Sequence, residues 1–331
     1  MMNHNIQEKK MLEKGKEALD IYLENFYVID DNGGLIVGEE FWCRAEIFEI
    51  IIDACERTGE KRYYEVLDSM YQGFIAEYGD DWSRNEYNDD IMWMTIACTR
   101  AYFLTEDNKY LEQARKHFDI VYERAWNNEL GGGLFWRTDN RTKNACINGP
   151  AVIAACLLAE ATGDQAYMDK AVGIYQWLKE NLFGTDGAVY DAYDLETGIN
   201  EWASTYNQGT FIGAATKLYQ YYKDETYLAD AQLAADYTMN IMFSGKVINT
   251  EDSGNDLPGF KGILARWMGM FVRELDQNQY KAWLTLNAET AWSNRNSKGI
   301  MNTLWDTQTE DTFYTAWGCS AAVSLLFNCA Y

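Results

Sequence analysis

One short turn recurs along the chain and limits its fold more than any other feature. It reads "TGEKRY" at 58–63, "TEDNKY" at 105–110, "TGDQAY" at 162–167, "YKDETY" at 222–227 and "LDQNQY" at 275–280. Each copy ends in a tyrosine (Tyr63, Tyr110, Tyr167, Tyr227 and Tyr280), and successive tyrosines stand 47, 57, 60 and 53 residues apart. A unit of that size is one helical hairpin plus a loop. The runs before the turns, such as "IMWMTIACTRAYFL" and "AVIAACLLAEA", are apolar on nearly every face, as buried helices are. The runs after them differ. In "NKYLEQARKHFDIVYERAW", Tyr110, Leu111, Ala114, Phe118, Val121, Tyr122 and Ala125 form one stripe and the opposite face is charged, which marks an outer helix. Five turns therefore join five inner helices to five outer ones. An outer helix over about 7–27 and an inner one over about 313–329 remain to pair, closing a ring of six hairpins. The expected fold is all-α, an (α/α)6 barrel, with residues 1–331 as a single domain. A two-domain helical bundle is the alternative, and no Pro/Gly/Ser-rich linker supports it.

Composition narrows the function. Only two prolines interrupt the chain, so long helices are permitted. A formal net charge of −23 repels nucleic acid and anionic membrane and favours a neutral or cationic partner. Twelve tryptophans and 23 tyrosines exceed the needs of a core and suggest surfaces that meet a ligand. The first residues show no apolar signal core, and no later stretch reads as a membrane span. The seven cysteines form no CxxC, and Cys55, Cys98, Cys156 and Cys329 sit in apolar helical runs. They read as reduced, buried thiols, and the expected location is cytoplasmic.

In the expected ring the turns share one end, and the loops leading into the inner helices share the other. Those loops read "GEEFWCRAE" (38–46), "NEYNDD" (85–90), "GGGLFWRTDNRTKNACINGP" (131–150), "WASTYNQG" (202–209), "LPGFKGILAR" (257–266) and "DTFYTAWG" (311–318). They concentrate Trp, Asn, Gln and Gly beside helix N-termini, whose free N–H groups bind anions and hydroxyls. Such a surface suits sugar. At its centre, Asp89 and Asp90 precede an apolar run. Capping and dipole compensation account for one acidic or amide residue there, and Asn88 is available as a cap. Glycoside cleavage needs two carboxyl groups, one ionised and one protonated. A helix start lowers one pKa and a neighbouring like charge raises the other, so an adjacent pair at that position meets both conditions.

The motifs "YNDDIMW", "GGGLFW", "KNA", "TYNQG" and "FKGILAR", in this order over roughly 20–325, resemble glycoside hydrolase family 76. That is a family of bacterial and fungal endo-α-1,6-mannanases with an (α/α)6 barrel. The resemblance implies retaining hydrolysis of α-1,6-mannosidic linkages, with Asp89 as nucleophile and Asp90 as acid/base. It implies substrate contacts from Tyr87, Asn88, Trp136, Asn144, Tyr206, Asn207, Gln208, Lys261 and Arg266. One departure is Gly149-Pro150, where a larger residue is expected. Trp42, Glu39 and Glu40 are weaker candidates for the cleft.

Other chemistries lack their residues. The two histidines, His4 and His117, lie near a terminus and on an outer helix, so no histidine-based triad is expected. The acidic runs at 80–81 and 251–256 match no EF-hand and read as solvated loops. "GGG" at 131–133 lacks the Lys-Ser/Thr of a phosphate loop and reads as a sharp turn. No metal or cofactor is expected. A carbohydrate-binding or transglycosylating protein acting on another α-linked glycan remains the alternative function.

Overall fold

The computed structural model describes residues 2–244, 247–248 and 251–330; the side chain of His4 lies outside the described residues. Among these there are twelve α-helices: α1 (Met2–Phe26), α2 (Phe41–Thr58), α3 (Lys61–Tyr78), α4 (Asn88–Thr105), α5 (Asn108–Ala125), α6 (Ala145–Thr162), α7 (Gln165–Leu182), α8 (Thr205–Tyr222), α9 (Glu225–Asn240), α10 (Phe260–Glu274), α11 (Lys281–Ser293) and α12 (Ala316–Asn328). The five recurring turns fall between α2 and α3, α4 and α5, α6 and α7, α8 and α9, and α10 and α11.

The turns share a local mechanism. In four of them the residue after the first helix is left-handed, at Gly59, Glu106, Gly163 and Lys223, and its N–H returns to the carbonyl four residues back. An aspartate then caps the second helix: Asp107, Asp164 and Asp224 accept the N–H groups of Lys109, Ala166 and Thr226. The tyrosine that ends the motif turns inward, and Tyr63, Tyr110, Tyr167 and Tyr280 are buried.

The chain divides into two compact units, 78–237 and 1–77 with 238–331. In the first, α6 packs against both α4 and α8. Gly149 explains part of this. A Cβ there would stand 2.6 Å from Thr210 Oγ1, so a larger residue would push α6 away from α8. By length and composition α6 is long and apolar enough to cross a membrane, and 78% of it is buried inside the protein, as the reading of this run as an inner helix expects. The outer helix α5 buries Tyr110, Ala114, Phe118, Val121 and Ala125 as the stripe predicts, and also His117. A three-stranded antiparallel sheet, β1 (Thr142–Asn144), β2 (Tyr190–Asp194) and β3 (Gly198–Ala203), pairs Asn144 with Ala192 and Tyr190 with Ala203. In the second unit, α12 packs on α1, as expected for the two leftover helices, and also on α2 and α10.

Candidate active site

The site is assembled in the unit 78–237 from the starts of three helices. Asp89, Cys146 and Tyr206 are each the second residue of their helix, on α4, α6 and α8. The three interact: the Cys146 thiol favours the Asp89 anion, and burial raises the pKa of both Cys146 and Tyr206, with Asp89 adding to each rise. Trp93, one turn into α4, faces Tyr206 with ring centroids 6.4 Å apart.

Asp89 and Asp90 occupy the first turn of α4. The expectation that the helix start lowers the pKa of Asp89 is corrected. Burial raises it well above the usual carboxylate range, the charge of Asp90 raises it further, and Cys146 and Trp136 only partly offset this. Two adjacent carboxyl groups disfavour each other's ionisation, which favours one proton on the pair. Asp90 is tied differently: its Oδ2 accepts the Asn85 amide at 2.9 Å. Asn88 does not cap the helix. The N-cap is Tyr87, which makes no side-chain cap bond. The Asn88 amide is fully buried, accepting from Arg124 Nε at 2.6 Å and donating to the Phe135 carbonyl at 2.8 Å.

Aromatic and amide groups surround the pair. Tyr87 and Trp136 lie 5.5 Å apart, with the Arg137 guanidinium 4.9 Å from the Tyr87 ring centroid. The Trp136 indole lies beside Asp89 but outside hydrogen-bond geometry, and its Nε1 has no partner. Asp89 Oδ1, Asn144 Oδ1, Ser204 Oγ and Asn207 Oδ1 are likewise buried and unsatisfied. Each unmade bond costs about 1–3 kcal/mol. The sequence reading missed Asp191 on β2. It accepts Asn200 Nδ2 at 3.1 Å and Asn207 Nδ2 at 3.5 Å, and burial raises its pKa despite both amides. Its charge also raises the pKa of Cys146 and Tyr206, so it belongs to the same cluster.

Four expected contacts are used within the protein instead. Besides Asn88, Gln208 is fully buried and bonds the backbone at Val189, Gly187 and Ala234. Lys261 and Arg266 lie in the other unit. The buried Lys261 ammonium bonds the Thr303 carbonyl, and burial lowers its pKa to about 8. Arg266 is buried with Glu46 (2.5 Å), Asp53 (3.0 Å) and Glu49 (3.7 Å). Also in that unit, Glu39 accepts the Trp317 N–H at 2.7 Å and Trp42 packs on Trp317. The glycine run is a sharp turn: Gly131, Gly132 and Gly133 all have positive φ, and a Cβ on Gly133 would fall 2.3 Å from the Trp177 ring. The Lys143 ammonium holds the turn by bonding Asn127 Oδ1 and the carbonyls of Glu129 and Gly132.

This architecture has solved counterparts. An inactive variant of the α-1,6-mannanase GH76A from Salegentibacter sp. HEL1_6, in complex with α-1,6-mannotriose, is 30% identical with a TM-score of 0.89, covering 97% of this chain and 99% of that one. In that variant two consecutive aspartates are replaced by asparagine. A Listeria innocua protein is 26% identical with a TM-score of 0.87, covering 96% of each chain. These likenesses show the expected all-α (α/α)6 fold class. The mannan endo-1,6-alpha-mannosidase DCW1 of Saccharomyces cerevisiae is 27% identical over 255 residues, which is 68% of this chain and 57% of that protein, so the chain spans little more than half the length of this relative. The family model described as Glycosyl hydrolase family 76 matches residues 11–327, and the chain belongs to that family.

Proposed function

We propose that the protein hydrolyses α-1,6-mannosidic linkages with retention, through a glycosyl-enzyme on Asp89, with Asp90 as acid/base. One observation carries this reading. The chain has three consecutive aspartate pairs, 30–31, 80–81 and 89–90. The first two are exposed, and only Asp89-Asp90 opens a buried helix beside unsatisfied polar groups. The replacement of two consecutive aspartates in the inactive Salegentibacter variant supports the same pair. Burial favours the proton on Asp89 in the free enzyme. An anomeric carbon that becomes positive in the transition state favours the Asp89 anion, leaving the shared proton to Asp90. Tyr87 and Trp136 offer stacking faces, Asn144 and Asp191 offer bonds to sugar hydroxyls, and the fully buried Asn207 holds Asp191.

The test compares Asp89→Asn with Asp90→Asn on α-1,6-mannan and on mannosides with activated aryl leaving groups. Asp89→Asn should form no glycosyl-enzyme with either. Asp90→Asn should lose most on mannan, because an activated leaving group needs little protonation. Product of inverted configuration, or a trapped sugar on another residue, would refute the assignment. Cleavage of α-1,2- or α-1,3-mannosides in preference to α-1,6-mannan would refute the linkage alone.

A further inference from the structure

The segment that delivers the acidic pair is held by one cation that pairs with no carboxylate among the described residues. The Arg124 guanidinium, near the end of α5, donates to three neutral oxygens: the Ser83 carbonyl at 2.6 Å, the Asn85 carbonyl at 2.8 Å and Asn88 Oδ1 at 2.6 Å. In a chain with 51 acidic residues, this use of a half-buried arginine calls for a reason. The reason lies one bond further on. Asn85 Oδ1 accepts the Tyr87 N–H at 2.9 Å, which fixes the orientation of the amide and aims Nδ2 at Asp90 Oδ2. An oxygen that accepts this N–H cannot also point a proton at it. When Asp90 is protonated, the carbonyl-type oxygen is the better acceptor of this N–H, so the bond favours the proton on Oδ1.

We infer that Arg124 and Asn85 are positioning residues for proton transfer, setting through this relay which oxygen of Asp90 exchanges the proton with the leaving group. The inference rests on the reading of Asp90 as acid/base. Arg124 holds the chain at its entry into α4, through the Asn85 carbonyl before the helix and the Asn88 side chain at its first residue. Asn85 converts that placement into a carboxyl orientation. Losing either residue weakens this hold on the Asp90 carboxyl, so that proton donation falls while attack by Asp89 on a good leaving group persists.

The experiment measures kcat/KM, which reports glycosylation alone, on an unactivated α-1,6-manno-oligosaccharide and on a dinitrophenyl α-1,6-manno-oligosaccharide of equal length. Asn85→Ala and Arg124→Ala should lose roughly 10- to 100-fold on the first and less than about 3-fold on the second, within the usual size of general-acid effects. Added guanidinium should restore part of the Arg124→Ala loss and none of the Asn85→Ala loss. Arg124→Lys, which keeps charge but cannot span three acceptors, should also show the selective loss. If Arg124→Ala does not fold, Asn85→Ala and Arg124→Lys decide the question. Equal losses on both substrates mean a merely structural role and overturn the inference, as does full activity of Asn85→Ala. Asp90→Asn serves as the reference. If it too loses equally on both substrates, the acid/base reading has failed. If it is selective while Asn85→Ala is not, only the relay has failed.

Discussion

Acidification should release the segment before α4 through one histidine. His117 is fully buried on α5, with Nδ1 facing the Gln113 carbonyl at 2.9 Å, Nε2 accepting the Trp82 N–H at 2.9 Å and its ring stacked on Trp82 at 4.0 Å. Only the neutral tautomer makes both bonds. Burial lowers the pKa from 6.5 to about 4. Above pH 6.5 the imidazole is neutral in both folded and unfolded chains, and pH does not act through it. Between 6.5 and about 4 the unfolded chain takes up a proton that the folded chain refuses, so stability falls as pH falls. Below about 4 the loss is complete, at about 3 kcal/mol and with a slope no steeper than ~1.4 kcal/mol per pH unit. His117→Gln removes the titration and can still offer an acceptor to Trp82. Urea unfolding of both proteins from pH 4 to 7 isolates the effect, because the carboxylates titrate alike in each. The wild type should lose about 3 kcal/mol relative to the variant across that window. Parallel curves, or a His117 NMR titration midpoint near 6.5, would refute the reasoning.

Three further outcomes are expected. Glu46 should act in the opposite sense to His117. Burial raises its pKa from 4.5 to about 8, so its contribution to stability is lost as pH rises across that range, and Glu46→Gln should gain on the wild type between pH 5 and 8.5; a flat difference counts against it. Gly133→Ala should cost ~3 kcal/mol or more, adding ring overlap to left-handed strain, whereas Gly59→Ala, with open space around its Cβ, should cost about 1–2 kcal/mol; equal losses in denaturant unfolding would contradict this. Mannan cleavage should be unchanged by chelators, because in the proposed mechanism two carboxyl groups supply both the nucleophile and the acid; activity lost to chelation and restored by one ion would show otherwise.

The hairpins were legible because their code is local: a left-handed residue, a capping aspartate and an inward tyrosine within six residues. The helix bounds follow closely, with 2–26 against an expected 7–27 and 316–328 against 313–329. The acidic pair was legible because a helix start is a local feature too. Asn85, Arg124 and Asp191 were not, since their meeting depends on the packing of α5 and on strand pairing. Cys146 and Tyr206 are instructive. They follow Asp89 at intervals of 57 and 60, the same intervals that separate Tyr110, Tyr167 and Tyr227, so the repeat places all three at equivalent positions. Asn88, Gln208, Lys261 and Arg266 show the limit of such reading. A polar residue in a loop looks the same in sequence whether it faces a sugar or a backbone carbonyl.

The outer helix α5 acts as a ruler for the segment before α4. Lys116 bonds the Asp80 carbonyl, His117 the Trp82 N–H, and Arg124 reaches Ser83, Asn85 and Asn88. From Lys116 to Arg124 the helix rises ~12 Å, and the nine residues 80–88 are laid out against that length. An inserted or deleted residue within 80–88 would put the pegs out of step and displace the carboxyl groups. Length variation in this region should therefore be tolerated before residue 80, and homologues with longer connections should carry the extra residues there.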